Sequence, residues 1–240
     1  MQLLNSIHVY GIFLILATVI KASHSRQQDT AEMAEGNVIY VMVQNLQKIQ
    51  GLATELIHDQ NPDVMLAQEI NLNSEKDTDF NAHYTSSIGY GTAIYSKMPV
   101  TNVKLVKSPY AEFGGIIHKK TTIASTGGIV FVSFHGYNGT PFKSIDKLLA
   151  HVQAVLSAIS TENGPAVFAG DFNSWSQSHL DAIKSALESA GFNLAYSWPY
   201  AGRDFSLDHA FVRGLSVRKS SFYSSSSDHN GALLELEVHE

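Results

Sequence analysis

The segment AVFAGDFNSWS, residues 166–176, places Asp171 and Asn173 directly after an apolar run. A carboxylate and a carboxamide at the end of a buried strand need partners or a function, because unpaired buried polar groups cost free energy. Polar residues recur at the borders of apolar segments along the chain, and those able to bind a metal or move a proton are Asn45, Glu69, His135, Asp171, Asn173, Asp208, Asp228 and His229.

The types of these residues indicate the chemistry. Oxygen ligands suit Mg²⁺, Mn²⁺ or Ca²⁺ better than Zn²⁺, and an unperturbed histidine titrates at a pKa of about 6.5. Mg²⁺ takes only one or two protein carboxylates, so some of the groups must address substrate and water. The set predicts acid–base chemistry assisted by a hard cation.

The elements that would position these groups can be predicted from apolar periodicity. Short apolar runs typical of buried strands are NVIYVMV, DVMLA, YGTAIYS, GIVFVSF, AVFA, SLDHAFV and GALLELEV. Apolar residues at helical spacing predict helices over 46–57, 148–159 and 180–190. Because strands outnumber helices, we predict a mixed α and β protein with sheets packed together and helices outside.

Composition limits the class of protein. The chain has 240 residues, 44% of them hydrophobic, which suits one domain with a sizeable core. It has no cysteine, so disulfides, thiolate nucleophiles and cysteine-ligated metal sites are excluded. A net charge of −6 argues against a protein that holds nucleic acid by bulk electrostatics alone, but it is compatible with nucleic acid as a transient substrate.

The N-terminal segment predicts export. Residues 9–20 (VYGIFLILATVI) form a continuous apolar run, and the small residues of a Ser-His-Ser sequence follow it. We expect a cleaved signal peptide over residues 1–25, with a membrane anchor at residues 7–20 as the alternative. A polar lead-in at residues 26–35 then precedes one domain at residues 36–240.

Each candidate residue taken alone also has a structural interpretation. Asn45 could cap a following helix, and Glu69 could be an exposed charge at a strand end. Asp171 and Asn173 could only form a turn, and a single histidine such as His135 is more often structural than catalytic. These separate interpretations do not explain why so many polar residues able to bind a metal or move a proton lie at the ends of predicted strands.

Seven short motifs follow one another along the chain: MVQN, AQE, YGTAIYSKMPV, VSFHGYN, AGDFNSWS, SLDHAFV and SSDHN. Their order resembles the endonuclease/exonuclease/phosphatase superfamily, the DNase I-like phosphoesterases, over residues 36–240. The resemblance implies an α/β (α+β) four-layer sandwich, in which two mixed β-sheets pack face to face with helices outside. It also implies divalent-metal-dependent hydrolysis of a phosphate ester.

The resemblance implies a metal site built by residues from three motifs. Glu69 would be the principal ligand, Asn45 would lie beside it, and Asp228 would lie near the same ion. Mg²⁺ is the expected ion, with Mn²⁺ or Ca²⁺ as alternatives. The number of metal ions stays open.

The resemblance also implies roles around the phosphate. His229 would take a proton from the attacking water, and Asp208 would hydrogen-bond the His229 ring. Asp171 would orient the nucleophile, Asn173 would hold a phosphate oxygen, and His135 would bind or protonate the phosphate. Whether Asp171 or His229 accepts the proton stays open.

Two Asp-His pairs compete for the catalytic role, Asp208-His209 and Asp228-His229. Because neighbours on a strand point to opposite faces, His209 is predicted to point away from the side of Asp208. We therefore predict that His229 is catalytic and His209 is structural.

The substrate is less well determined than the site. The leading hypothesis is an exported monomer that acts on nucleic acid. The alternatives are a sphingomyelinase-type phosphodiesterase or phosphatase acting at membrane lipid, and an inactive binding domain on the same fold. No apolar hairpin for membrane contact stands out. Lys119 and Lys120 could contact phosphate but are interpreted as a solvated face, and the serines at 224–227 are interpreted as a flexible loop. Tyr137 and Trp175 could stack on a base or pack in the core or at the rim.

Overall fold

The computed structural model describes residues 38–70, 80–84, 91–139 and 143–238. The predicted signal peptide or anchor and the lead-in at residues 26–35 lie outside this part of the chain. Within the described residues, no helix is both long enough and apolar enough to cross a membrane.

Twelve strands and three helices are present in the described residues. The strands are β1 (Val38–Asn45), β2 (Val64–Gln68), β3 (Asn81–Tyr84), β4 (Thr92–Ser96), β5 (Thr101–Lys107), β6 (Lys120–Thr126), β7 (Ile129–His135), β8 (Ala166–Asp171), β9 (Asn193–Trp198), β10 (Asp208–Arg213), β11 (Leu215–Tyr223) and β12 (Gly231–Val238). The helices are α1 (Leu52–Gln60), α2 (Ile145–Ala158) and α3 (Gln177–Glu188). The apolar runs do not predict β3, β5, β6, β9 and β11.

The strands form two mixed sheets of six strands each. Their orders are β11-β12-β1-β2-β4-β3 and β5-β6-β7-β8-β10-β9. The central pairs β1–β2 and β7–β8 are parallel, and all other neighbours are antiparallel. Because the carboxyl ends of parallel strands meet at one edge, each sheet brings two strand ends together at its centre.

The sheets pack face to face through apolar and hydroxyl side chains. Gln68 Nε2 donates to Ser133 Oγ at 3.0 Å, and that hydroxyl donates to the carbonyl of Ala67 at 2.8 Å. Apolar residues of α1 pack on the first sheet, and those of α2 and α3 pack on the second. The predicted four-layer sandwich is therefore confirmed.

The first helix begins later than its apolar spacing predicts. Gln47 and Lys48 have φ angles of 49° and 61°, and Gly51 has a φ of 77°, so the chain turns before α1 begins at Leu52. Leu46 lies outside the helix although it is buried in the core. This turn after β1 also places Lys48 at the end of the neighbouring strand.

Candidate active site

The predicted residues converge where the two parallel strand pairs end. Asn45 ends β1 and Glu69 follows β2 in the first sheet, whereas His135 and Asp171 end β7 and β8 in the second. Asn45 Nδ2 donates a hydrogen bond of 3.2 Å to Asp171 Oδ2. The two sheets are thus joined at the site itself.

His229 lies between two carboxylates. Its Nδ1 is 2.7 Å from Asp208 Oδ2, and its Nε2 is 3.9 Å from Asp171 Oδ2. Asn45 Nδ2 lies 3.5 Å from the same Nε2, and the Tyr200 ring meets the imidazole edge-on at 4.7 Å between centroids. These contacts fix the ring with Nε2 directed towards Asp171.

Burial and the neighbouring carboxylates set the protonation of this group. Burial disfavours the charged form of His229, but carboxylates, chiefly Asp208, outweigh it and raise the His229 pKa to about 10. Burial raises the pKa of Asp171 to about 6, which the cationic His229 opposes. Burial also raises the pKa of Asp208. The protein groups alone therefore place a proton on His229 at neutral pH and leave Asp171 as an acceptor.

A buried lysine lies beside His135. The interpretation of Lys119 as part of a solvated face is wrong, because this residue is only 2% exposed. Lys119 Nζ contacts His135 Nε2, and that nitrogen lies 3.6 Å from Glu69 Oε1 and 3.7 Å from Asp171 Oδ2. Burial lowers the pKa of Lys119, and nearby carboxylates, chiefly Glu112, oppose this. Lys119 and His135 thus lie together between the carboxylates of Glu69 and Asp171.

Tight backbone packing fixes Asp171 and Asn173. Gly170 has a φ of 141°, and a Cβ there would lie 2.1 Å from the carbonyl oxygen of Phe134. The backbone N–H of Asn173 donates to Asp171 Oδ1 at 2.9 Å, and its Nδ2 donates to the carbonyl of Gly136 at 3.1 Å. The turn after β8 therefore holds the carboxylate and the carboxamide in defined positions.

One of the serines at residues 224–227 packs against the site, whereas Ser224 and Ser226 in the same loop are exposed. Ser227 is buried, and its Oγ donates to the carbonyl of Asn45 at 2.7 Å. The same Oγ accepts from the backbone N–H of His229 at 3.2 Å. Ser227 thus ties the segment that carries His229 to the end of β1.

Asp228 lies at the rim of the site. Its side chain accepts a hydrogen bond of 3.2 Å from the Tyr200 hydroxyl, and its backbone N–H donates to Gln47 Oε1 at 3.1 Å. Its predicted role near the metal stays a prediction, since the contacts of the described residues join it to Tyr200 and Gln47 rather than to Glu69.

The donor set fits a hard cation held mainly by one carboxylate. The carboxylate of Glu69 already has a cation as its partner, the ammonium of Lys48. Asn45 Oδ1 accepts from the N–H of Gln47 at 3.0 Å and keeps a second lone pair. No group of three His, Asp or Glu in the described part of the chain could hold a metal by itself. Mg²⁺ commonly takes one or two protein carboxylates and keeps water and substrate phosphate as its other ligands.

Lys48→Met is expected to strengthen Mn²⁺ or Mg²⁺ binding, because the ammonium at Glu69 competes with a divalent cation for the same carboxylate. Lys48 is partly exposed, so the gain should not exceed about fivefold, the equivalent of about 1 kcal/mol for a surface ion pair. Calorimetric titration with Mn²⁺ measures it. Lys97→Met, which breaks an ion pair with Asp63 elsewhere, is the control. Weaker or unchanged binding in Lys48→Met would contradict the competition.

His209 is structural, as the strand alternation predicts. It is buried and hydrogen-bonded to Ser174 Oγ at 2.6 Å and to Ser197 Oγ at 2.7 Å, away from Asp208 and His229. Burial lowers its pKa to about 3.

The buried His209 should make stability depend on pH. In the unfolded chain its pKa is about 6.5, so below that pH the unfolded state binds more protons and the free energy of unfolding falls until the pH reaches about 3. Between pH 7 and pH 5 this loss is about 2 kcal/mol. Urea unfolding of wild type and His209→Gln at both pH values measures the effect, and the decrease in the free energy of unfolding should be smaller by this amount in His209→Gln. An equal decrease in both proteins would show that His209 does not cause it.

Two packed mixed sheets with these polar groups at their strand ends define the class of DNase I-like phosphoester hydrolases. The model of the endonuclease/exonuclease/phosphatase family matches residues 45–229. The chain belongs to this family, which confirms the resemblance.

Individual comparisons are more distant. A UPF0294 protein of Vibrio campbellii is 26% identical over 198 residues, which cover 75% of this chain and 70% of the relative. The chain spans less than half of the length of several other curated relatives that it matches.

Two solved structures share the fold. An endonuclease/exonuclease/phosphatase family protein of Bacteroides thetaiotaomicron has a TM-score of 0.65 and 15% identity, covering 84% of this chain and 95% of its own. A 3′ phosphatase of Neisseria, NExo, bound to a product DNA hairpin, has a TM-score of 0.62 and 15% identity, covering 83% of this chain and 99% of its own.

Proposed function

We propose that the protein is an exported, monomeric, divalent-metal-dependent phosphodiesterase that cleaves nucleic acid as an endonuclease. The observation that carries the proposal is the connected set of Asp208, His229, Asp171 and Asn45, which joins the two sheets at their strand ends. Export is supported by the apolar N-terminal segment.

Several groups of the site could neutralise the negative charge that develops on the phosphate oxygens in the transition state. A phosphodiester anion repels an attacking hydroxide, so donors must face the phosphate oxygens in the transition state. Lys119, which contacts His135, would supply positive charge towards the phosphate. Asn173 would donate an amide N–H. A divalent cation held by Glu69 and Asn45 would act as a Lewis acid.

The site can also handle the proton of the attacking water. His229 Nε2 and Asp171 Oδ2 are 3.9 Å apart, a separation at which one water oxygen can hydrogen-bond to both. Asp208 fixes the tautomer of His229 through Nδ1 and stabilises its charged form. Asp171 and His229 thus form the acid–base pair of the proposal.

Nucleic acid is the proposed substrate for two reasons. The Neisseria phosphatase with the same fold is bound to a DNA product. In this chain, the exposed rings of Trp175 and Phe205 lie together beside the site, and exposed aromatic rings bind bases with little dependence on sequence.

The test uses the full chain and a supercoiled plasmid, with nicking followed over time. We expect nicking with Mg²⁺ and none with a chelator. If Mn²⁺ restored activity and Mg²⁺ did not, the proposed metal ion would have to be changed, but the proposed reaction would stand. Absence of nicking by folded, metal-loaded protein would overturn the nuclease proposal and direct the search to lipids and phosphomonoesters.

A phospholipid phosphodiesterase is the second candidate, because the loop between β5 and β6 is apolar and exposed. Tyr110, Phe113 and Ile116 are exposed there, the last at 77%, and this apolar loop does not stand out in the sequence. Glu112 in this loop accepts a 2.7 Å hydrogen bond from the N–H of Asn138, which follows β7 near the site. Sedimentation with sphingomyelin liposomes and release of phosphocholine test this candidate.

A further inference from the structure

We propose that Trp175 and Phe205 form a subsite that stacks on a nucleobase of the substrate, beside the phosphate to be cleaved. The proposal rests on the proposed function and names how a nucleic-acid substrate is held. The subsite lies on the segments that follow β8 and precede β10, so it adjoins both Asn173 and Asp208.

The Trp175 ring is held in place while much of its surface stays accessible. Trp175 is 40% exposed. Its Nε1 donates to Asn138 Oδ1 at 2.9 Å, and Lys143 Nζ lies 4.4 Å from the ring centroid. The same Asn138 oxygen also accepts from Lys143. A fixed aromatic ring next to a cation suits a ligand that combines a planar ring with a phosphate.

A continuous series of rings leads from Trp175 to the catalytic histidine. The Trp175 and Phe205 centroids are 5.9 Å apart, and Phe205 stacks on Tyr200 at 5.9 Å with an interplanar angle of 15°. Tyr200 then contacts His229 at 4.7 Å. The rings of Trp175, Phe205 and Tyr200 therefore form a connected aromatic surface that reaches His229.

Trp175 and Phe205 differ in exposure from the second tryptophan, Trp198. Phe205 is 42% exposed, whereas Trp198 is 0% exposed and belongs to the core. Core packing accounts for Trp198, but it does not account for two adjacent rings that remain open to solvent. Stacking on one base contributes about 1–3 kcal/mol in single-strand binding proteins, and it accepts any base. The subsite therefore predicts affinity for bases without strong sequence preference.

The chain has two tryptophans, which makes the test direct. The full chain is kept in chelator and titrated with a single-stranded DNA hexamer of adenines, and with a hexamer that has the same phosphates but abasic sugars. We expect the adenine hexamer to quench the fluorescence of Trp175 and the abasic hexamer to leave it unchanged. Trp175→Phe should remove the quenching and leave the signal of Trp198.

Affinity for a labelled adenine hexamer is measured by anisotropy in the same buffer. Trp175→Ala and Phe205→Leu should each weaken binding about tenfold, and Trp175→Phe, which keeps an aromatic ring, should retain it. Equal affinity for the adenine and abasic hexamers would overturn the subsite.

The outcome is separable from the proposed function, because binding is measured without cleavage. Plasmid nicking without base-dependent quenching would keep the nuclease and remove the subsite. Base-dependent quenching without nicking would keep the subsite and remove the nuclease.

Discussion

His229→Gln is expected to lower kcat for phosphodiester hydrolysis about 10³-fold, within the range of about 10²–10⁴ typical of a positioned acid–base group. Glutamine cannot carry the proton that Asp208 and Asp171 stabilise on the imidazole. The KM should change little, because His229 is expected to act on the reacting water rather than on the rest of the substrate. Initial rates of plasmid nicking at saturating Mg²⁺ measure the effect.

His209→Gln is the matched control. His209 is equally buried, but its two nitrogens bond to serine hydroxyls outside the acid–base pair. We expect the kcat of this variant per folded molecule to stay within about threefold of wild type, because the substitution alters packing near the site and removes no group of the acid–base pair. If kcat fell equally in both variants, the loss would come from a general disturbance of the structure, and His229 would have no specific catalytic role.

Lys119→Met should lower kcat/KM about 10²–10³-fold, the size expected for removing one donor that stabilises charge in a transition state. Lys119 is buried in this part of the site and contacts His135. Methionine keeps most of the volume of the side chain but removes its charge. Lys119→Arg should recover part of the lost activity, because it restores the positive charge in a different shape.

Lys120→Met provides the control at the next position in the chain. Lys120 is the first residue of β6 and is only partly buried, so its loss should leave kcat/KM near the wild-type value. Thermal unfolding of both variants separates stability from catalysis. A Lys119→Met protein with a lower Tm but a normal rate per folded molecule would show that Lys119 is structural.

The strands that carry the site could be predicted because they are central to their sheets. β2, β7 and β8 are buried at every position, so each appears as a mainly apolar run with polar residues near its end. Polar residues at their ends then identify the edge where chemistry is presented. The positions of Asn45, His135 and Asp171 follow from this pattern.

The outer strands could not be predicted in the same way. Most positions of β5, with the sequence TNVKLVK, are exposed, and β11 is largely polar. Their pairing depends on neighbours supplied by other parts of the chain rather than on local preference. The apolar runs therefore predict the centre of the sandwich better than its edges.

The burial of Lys119 and of Ser227 at the site also could not be predicted from the local sequence. Lys119 directly precedes β6 and is buried against His135, whereas Lys120, the first residue of β6, is only partly buried, and the local sequence does not distinguish the two. Ser227 belongs to a run that resembles a loop, and its buried role depends on β1, far away in the sequence. Long-range register, absent from local patterns, determines both.

The position of β1 has a consequence for synthesis of the protein. β1 is hydrogen-bonded on one side to β2 and on the other to β12, with Val38 paired to Glu237. During translation the sheet that contains β1 therefore cannot be completed until β12 has been synthesised. Such pairing between strands far apart in the sequence slows folding. His229 leaves the ribosome just ahead of β12, so we expect nascent chains to be inactive until that strand has emerged.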